Sequence, residues 1–166
     1  MQLRDAKLEL ALMVKPSPAM LRGLAFDELA RDDIRVAVGR KHPLAQRRAI
    51  KLADVAREPL IALSRTEYPD YYESFDALFA SAKLKPNIKE EHESISSLIA
   101  SVEACSGVAL VSESLACIAG SRLRLLALSP KAPPLVIGAA WSKTRRSEAA
   151  ASKFLECAKR AATEGD

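Results

Sequence analysis

The sequence predicts an α/β fold, and three observations carry that expectation. Short β-type runs alternate with helix-period segments along the whole chain. Several of the runs, such as Leu60-Ile61-Ala62-Leu63 and Val108-Ala109-Leu110-Val111, are apolar throughout, as strands are when both faces of a parallel sheet are covered. The 166 residues, 49% hydrophobic and 28% charged, are also enough to bury a core, hiding roughly two-thirds of the surface of the unfolded chain without disulfides or a structural metal.

A first strand is expected at Leu8 to Val14, then a short helical turn around Leu21 to Leu29 and a strand at Ile34 to Val38. A second turn is expected around Lys51 to Arg57, followed by the strand Leu60 to Leu63. Phe75, Leu78, Phe79 and Ala82 then recur at i, i+3, i+4 and i+7, which predicts a helix that Pro86 stops. The strand Asn87 to Glu93 follows. Ser94 caps a helix carrying Ile95, Leu98, Ile99 and Val102 on one face, with Gly107 as its left-handed C-terminal cap. Strands at Val108 to Val111, Leu123 to Leu128 and Leu135 to Trp141 complete the β-type runs, with a short helix after Ser112. The last helix starts at Ser147, carries Ala151, Phe154, Leu155 and Ala158 on one face, and frays into Thr163 to Asp166. No internal repeat or heptad array interrupts this order.

Composition excludes several classes. The three cysteines, Cys105, Cys117 and Cys157, have no C-x-x-C spacing and sit among apolar residues, which suits small buried thiols in a reducing compartment. Met1-Gln2-Leu3-Arg4-Asp5 carries no apolar h-region, and no apolar run approaches the ~20 residues of a membrane span, so a cytoplasmic protein with no membrane partner is expected. Lys and Arg exceed Asp and Glu by 25 to 21. The basic clusters, Arg40-Lys41-His42 with Arg47-Arg48 and Lys143 to Arg146, read as solvated faces without a recognition helix, so no direct nucleic-acid binding is expected.

Catalytic constellations are thin. Of the two histidines, His42 and His92, neither lies in a metal-ligating motif. In Glu90-Glu91-His92-Glu93 the alternation of a strand lets only Glu91 converge with Glu93, or Glu90 with His92, so the run reads as a solvated strand end and no metal is expected. No nucleophile elbow, P-loop or dinucleotide fingerprint is present, and with six glycines a phosphate-cradling loop has little to be built from. Neither an enzyme nor a cofactor is expected.

What recurs is a strand that runs into hydroxyl residues and then a helix. Leu60 to Leu63 leads into Ser64-Arg65-Thr66, the strand ending at Glu93 into Ser94, and Val108 to Val111 into Ser112-Glu113-Ser114. In a parallel sheet these junctions share the carboxyl edge, where open α/β folds bind ligands. Helix-terminal N–H groups and hydroxyls favour an anion there, and Arg65 adds a positive charge, so a small organic acid is the expected ligand. Serines at such positions also serve simply as helix caps.

Ile34-Arg35-Val36-Ala37-Val38-Gly39-Arg40-Lys41-His42-Pro43-Leu44-Ala45 resembles the strand and His-Pro-Leu-Ala turn of the effector-binding domain of LysR-type transcriptional regulators. The resemblance runs on in order through Leu52-Ala53-Asp54-Val55-Ala56, Glu58-Pro59-Leu60-Ile61, Ser97-Leu98-Ile99-Ala100, Gly107-Val108-Ala109-Leu110-Val111 and Ala140-Trp141-Ser142. Leu8-Glu9-Leu10-Ala11-Leu12 is similar to the family's Leu-Asp-Leu-Ala-Leu strand, with Glu9 in place of Asp.

This resemblance implies a type II periplasmic-binding-protein-like fold: two Rossmann-like lobes joined by two crossing strands, near Val36 to His42 and Leu123 to Leu128. Lobe two would span residues 43–121 and lobe one residues 1–42 and 122–166. It implies an effector-sensing role, with an anionic metabolite held in the interlobe cleft by Ser64, Arg65, Thr66, Ser94, Ile95 and Ser96, and by Pro16, Ser17 and Pro18 of lobe one; Lys15 is a further electrostatic candidate. The family's helix-turn-helix, linker helix, first strand, first helix and second strand have no match before Leu8, so the chain is expected to be an N-terminally truncated form with lobe one incomplete and an open edge at Leu8 to Val14. Homo-oligomerisation, or association with a full-length regulator, is the expected protein partnership. The alternative is a stand-alone solute-binding or interaction module acting as a dominant-negative partner.

Overall fold

The computed structural model describes residues 8–143 and 149–164. The chain divides into two compact units: unit one is Met1–Arg31 with Leu135–Asp166, and unit two is Asp32–Pro134.

Unit one contains β1 (Leu10–Val14), β2 (Leu24–Asp32), β9 (Leu135–Ser142) and helix α5 (Ala149–Glu164). Its sheet has the order β1-β9-β2. β1 and β9 are antiparallel, from Leu10↔Trp141 to Val14↔Ile137. Leu24 and Ala140 are buried, with Ala11, Met13, Leu21 and Phe26 packed on them. A Cβ on Gly138 would lie 2.2 Å from the Asp27 carbonyl oxygen, so only glycine allows this approach to β2. The helical turn expected at Leu21 to Leu29 is corrected. A turn ends at Gly23, and from Leu24 the chain is a strand. Leu-Ala-Phe-Asp-Glu-Leu-Ala-Arg-Asp is rich in helix formers, but its sheet place beside β9 overrides that local preference. The expected helix start at Ser147 and its final residues Gly165 and Asp166 lie outside the described residues, as does the Met1 to Asp5 segment.

Unit two runs through β3 (Ile34–Gly39), a 3-10 turn (Pro43–Gln46), β4 (Ala49–Ile50), α1 (Leu52–Val55), β5 (Leu60–Leu63), α2 (Pro69–Ser81), β6 (Ile88–His92), α3 (Ile95–Glu103), β7 (Ala109–Ser112), α4 (Leu115–Ala119), a second 3-10 turn (Gly120–Arg122) and β8 (Leu123–Leu128). One sheet has the order β4-β8-β3-β7 and a second pairs β5 with β6. A parallel bridge, Leu60↔Val108, joins them, with the Ile61 N–H donating to Val108 O at 2.8 Å and the Val108 N–H to Pro59 O at 2.9 Å. β3 is antiparallel to both its neighbours, while β4 with β8 and β5 with β6 are parallel.

The apolar strands are explained by alternation. Val36, Val38, Leu60, Ala62, Val108 and Leu110 join the buried cluster of Tyr72, Phe75 and Phe79 from α2. Their neighbours in sequence, Ala37, Ile61 and Ala109, join Leu98, Ile99 and Val102 of α3 and Leu115 of α4. Each strand is therefore covered on both faces. The burial expected of the three cysteines is corrected: Cys105 is half-buried, and Cys117 and Cys157 lie exposed on their helices. The expected C-terminal cap at Gly107 is also corrected. It is Cys105 that takes the left-handed conformation, at φ 60°, and Gly107 instead lets two strands meet: a Cβ there would lie 2.2 Å from Pro59 O.

Candidate functional site

The carboxyl ends of β5 and β6 come out side by side because these strands are parallel and, after a one-residue bulge between Leu60 and Ile61, pair from Ile61↔Glu90 to Leu63↔His92. Two hydrogen bonds then tie the segments that follow. The Ser64 N–H donates to His92 O at 2.8 Å, and the Tyr68 hydroxyl reaches Glu93 O at 3.4 Å. Ser64 closes its own turn by accepting the Tyr68 N–H at 2.9 Å, and Pro69 then opens α2, where a missing N–H costs nothing. Ser64-Arg65-Thr66 and Ser94-Ile95-Ser96 are thus brought together, with Arg65, Thr66, Ser94 and Ser96 exposed and Ser64 and Ile95 half-buried.

Ser94 does the work of a cap: its Oγ accepts the Ser97 N–H at 3.2 Å and lies 2.9 Å from Ser97 Oγ, which itself donates to Ser94 O. The first-turn amides of Ile95 and Ser96 have no intrahelical acceptor, as the geometry of any α-helix dictates, and carry its positive end. Ile95 leans on the α3 side of the core, which fixes the direction of that turn.

Arg65 is engaged. Its Nη1 is 2.8 Å and its Nη2 3.4 Å from the two oxygens of Asp76, and its guanidinium carbon lies 3.9 Å from the centre of the Tyr72 ring. Tyr72 is buried, and its hydroxyl donates to Glu91 Oε1 at 2.5 Å. Burial, then the bond to Glu91, raises the Tyr72 phenol well above the ordinary tyrosine range. An incoming carboxylate would compete with Asp76 for a guanidinium already held over an aromatic ring.

The third junction is filled from within. Ser114 N–H, at the start of α4, donates to both carboxylate oxygens of the buried Asp32, at 3.2 and 3.4 Å, and Ser112 Oγ and Ser114 Oγ are 3.0 Å apart. At this junction the helix-terminal N–H is therefore satisfied by a carboxylate of the chain itself. Pro16 and Ser17 lie on unit one, Pro16 buried and Ser17 O accepting the N–H groups of Met20 and Leu21 at 3.0 and 3.1 Å. Lys15 Nζ sits 6.0 Å from the Phe26 ring centre.

In the acidic run, strand alternation brings Glu90 to His92, at 3.4 Å, with Ser101 Oγ donating to the same Glu90 oxygen at 2.6 Å. That hydroxyl holds the Glu90 carboxyl below its usual range. Among the described residues no group of three His, Cys, Asp or Glu side chains could hold a metal ion. An open groove of about 690 Å³ lies elsewhere on unit two, floored by Leu52, Leu78, Leu84 and Leu128, and none of the expected site residues lines it.

Tyr68, Tyr72 and Asp76 were not legible as site residues. The Tyr68-Pro69 pair signals a helix start, but nothing local signals that Tyr68 would reach across to Glu93, or that Asp76 would meet Arg65.

The family described as LysR substrate binding domain matches residues 1–163. The HTH-type transcriptional regulator TtuA of Agrobacterium vitis is 30% identical over 100 residues, 60% of this chain and 33% of that protein. The uncharacterized HTH-type transcriptional regulator YybE of Bacillus subtilis strain 168 is 28% identical over 153 residues, 92% of this chain and 51% of its own. The chain thus spans a third to a half of these relatives. Among solved structures, the effector binding domain of QuiR in complex with shikimate superposes with a TM-score of 0.81 at 24% identity, over 98% of this chain and 76% of that one.

Proposed function

Because this chain belongs to the LysR substrate-binding domain family and has its type II periplasmic-binding-protein-like fold, we propose that it is the effector-sensing part of a cytoplasmic transcriptional regulator, binding a small organic acid. The observation that carries the choice of site is the pairing of the β5 and β6 ends, which sets Ser64-Arg65-Thr66 beside the first turn of α3. In this reading the amides of Ile95 and Ser96 receive the ligand carboxylate, and the Ser64, Thr66 and Ser96 hydroxyls read its polar groups. Arg65 exchanges Asp76 for the ligand. Ser94 contributes by holding the helix end in shape. Pro16 and Ser17 are kept as candidate ligand contacts of unit one. Signalling follows if the acid binds one arrangement of the chain better than another, since only differential affinity shifts such an equilibrium.

Isothermal titration with a panel of small carboxylates, beginning with shikimate, tests this reading. Saturable binding of at least one acid is expected, weakened about tenfold or more by Arg65→Ala and by Ser96→Glu, which sets a competing carboxylate at the helix end without harming the helix. A panel that yields no binder, or a binder indifferent to both variants, would sink the assignment.

A further inference from the structure

The groove on unit two has a volume of about 690 Å³, within the roughly 300–1,000 Å³ of small-molecule pockets. Its floor is firm. Leu128 belongs to the buried core, and Leu52, Leu78 and Leu84 pack against that core from three different segments. The Ser129 N–H donates to Ile50 O at 3.0 Å, which pins the segment after Leu128 to the end of β4. Ser81 Oγ donates to Leu78 O at 2.8 Å, so this lining hydroxyl is engaged by its own helix.

Charge gives the groove a direction. Among the described residues the charged ones that line it are Lys51 and Lys131, and no carboxylate does. Ile50 pairs with Leu128 in the parallel β4-β8 ladder, so both lysines lie on segments that leave the ladder at the same end. Leu78 and Leu84 come from the last turn of α2 and the turn that follows it. The nearest acid in sequence, Asp54, is turned to Arg47 and Arg57, at 3.9 and 3.6 Å. Lys131 Nζ lies 2.7 Å from Asp33, but its side chain is 71% exposed, and an exposed pair of this kind is exchanged at little cost. Lys51 has no ion pair among the described residues, while its carbonyl accepts the N–H groups of Asp54 and Val55 and so fixes its place on the rim.

We propose that this groove is a second ligand site, one for an amphipathic monocarboxylate such as a medium-chain fatty acid. The carboxylate sits between Lys51 and Lys131, and the chain lies on Leu52, Leu78, Leu84 and Leu128. An apolar floor with two ammonium groups at one end and no acid of its own complements that layout and no other common one. A groove of this volume seats one small molecule, whereas a protein partner needs about 800 Å² of surface on each side. The site stands apart from the junction of β5 and β6, none of whose candidate residues lines it.

Isothermal titration of the 166-residue chain with hexanoate, octanoate and decanoate tests this. Saturable binding is expected, about two- to fourfold tighter for each added methylene, and decanol should bind at least about tenfold more weakly than decanoate. The double variant K51Q/K131Q should weaken decanoate about tenfold. Leu84→Asp, which sets a carboxylate on the floor, should weaken it at least as much, and circular dichroism checks that both variants fold. Decanoate binding should persist in Arg65→Ala, which separates this site from the one at β5 and β6. The proposal is overturned if none of the three acids saturates, if K51Q/K131Q binds decanoate as the parent does, or if decanol binds equally well. Loss of decanoate binding in Arg65→Ala overturns it too, by moving the acid to the other site. So does self-association in sedimentation that Leu84→Asp abolishes, which would make the groove a contact between two copies.

Discussion

Asp76 grips the Arg65 guanidinium with both carboxylate oxygens, at 2.8 and 3.4 Å, while the Tyr72 ring supports it from below. Both partners are about half exposed, so the pair contributes little to stability and acts chiefly as a holder. Asp76→Asn should leave the melting temperature nearly unchanged and tighten binding of a carboxylate ligand several-fold, because Arg65 no longer needs to be exchanged. Titration calorimetry beside a thermal melt checks this. Weaker binding in the variant would mean that Asp76 orients Arg65 for the ligand instead of competing with it.

Tyr72 and Tyr71 predict a base-labile core. Burial lifts both phenols above the ordinary value of 10.0; the Glu91 bond adds to the effect at Tyr72 and the nearby Tyr72 at Tyr71. Above pH 10 the unfolded chain releases these protons while the native chain keeps them, so the native state binds more protons and stability falls as pH rises. The contribution is fully present below pH 10, and each tyrosine can lower the folding constant by about tenfold per pH unit above it. Tyr72→Phe should flatten the slope of unfolding free energy against pH between 10 and 12, at a cost near neutrality of about 1–2 kcal/mol for the lost bond. An unchanged slope would place the effect elsewhere.

Gly107 and Cys105 show where local reading and tertiary structure part. A glycine five residues beyond Val102, the last apolar position of a helical pattern, looks like a cap, yet the left-handed residue is Cys105 and the glycine serves the contact with Pro59. Gly107→Ala should therefore destabilise strongly, by about 3 kcal/mol or more, because the added methyl meets a backbone oxygen. Cys105→Gly should stabilise by about 0.5–1 kcal/mol, since glycine adopts that conformation freely. Chemical denaturation of the two variants gives the comparison, and the reverse ranking would restore Gly107 as the cap.

The same division runs through the fold and the site. The bounds of β5 and β8 could be read directly, because short apolar runs are cut by Pro59 and Ser64, and by Arg122 and Ser129. β2 could not, since its helix-forming residues become a strand only beside β9, at the other end of the chain. At the site, strand-then-hydroxyl junctions are local patterns and were legible. The Arg65 pair with Asp76 and the reach of Tyr68 to Glu93 depend on the register of β5 with β6, which no local pattern reports.

Asp32 is the clearest instance of such a non-local choice, and it supplies the last prediction. Its buried carboxylate caps α4 from a distant strand through the Ser114 N–H, at a junction whose serines suggested an open ligand edge. Ser112 and Ser114 bond each other, and no Ser114 side-chain cap is made at this helix. Asp32→Ala removes the buried acceptor of the Ser114 N–H, so it should cost about 1 kcal/mol, in the range of a lost N-cap. It also vacates a carboxylate-shaped position beside the Ser114 N–H. Acetate added to the variant should recover part of the lost stability, in proportion to its occupancy, whereas the parent chain should gain nothing. Denaturant melts with and without acetate, at matched ionic strength with chloride, separate the cases. A variant as stable as the parent, or rescue equal in both, would show that Asp32 does not act as the internal anion of this edge.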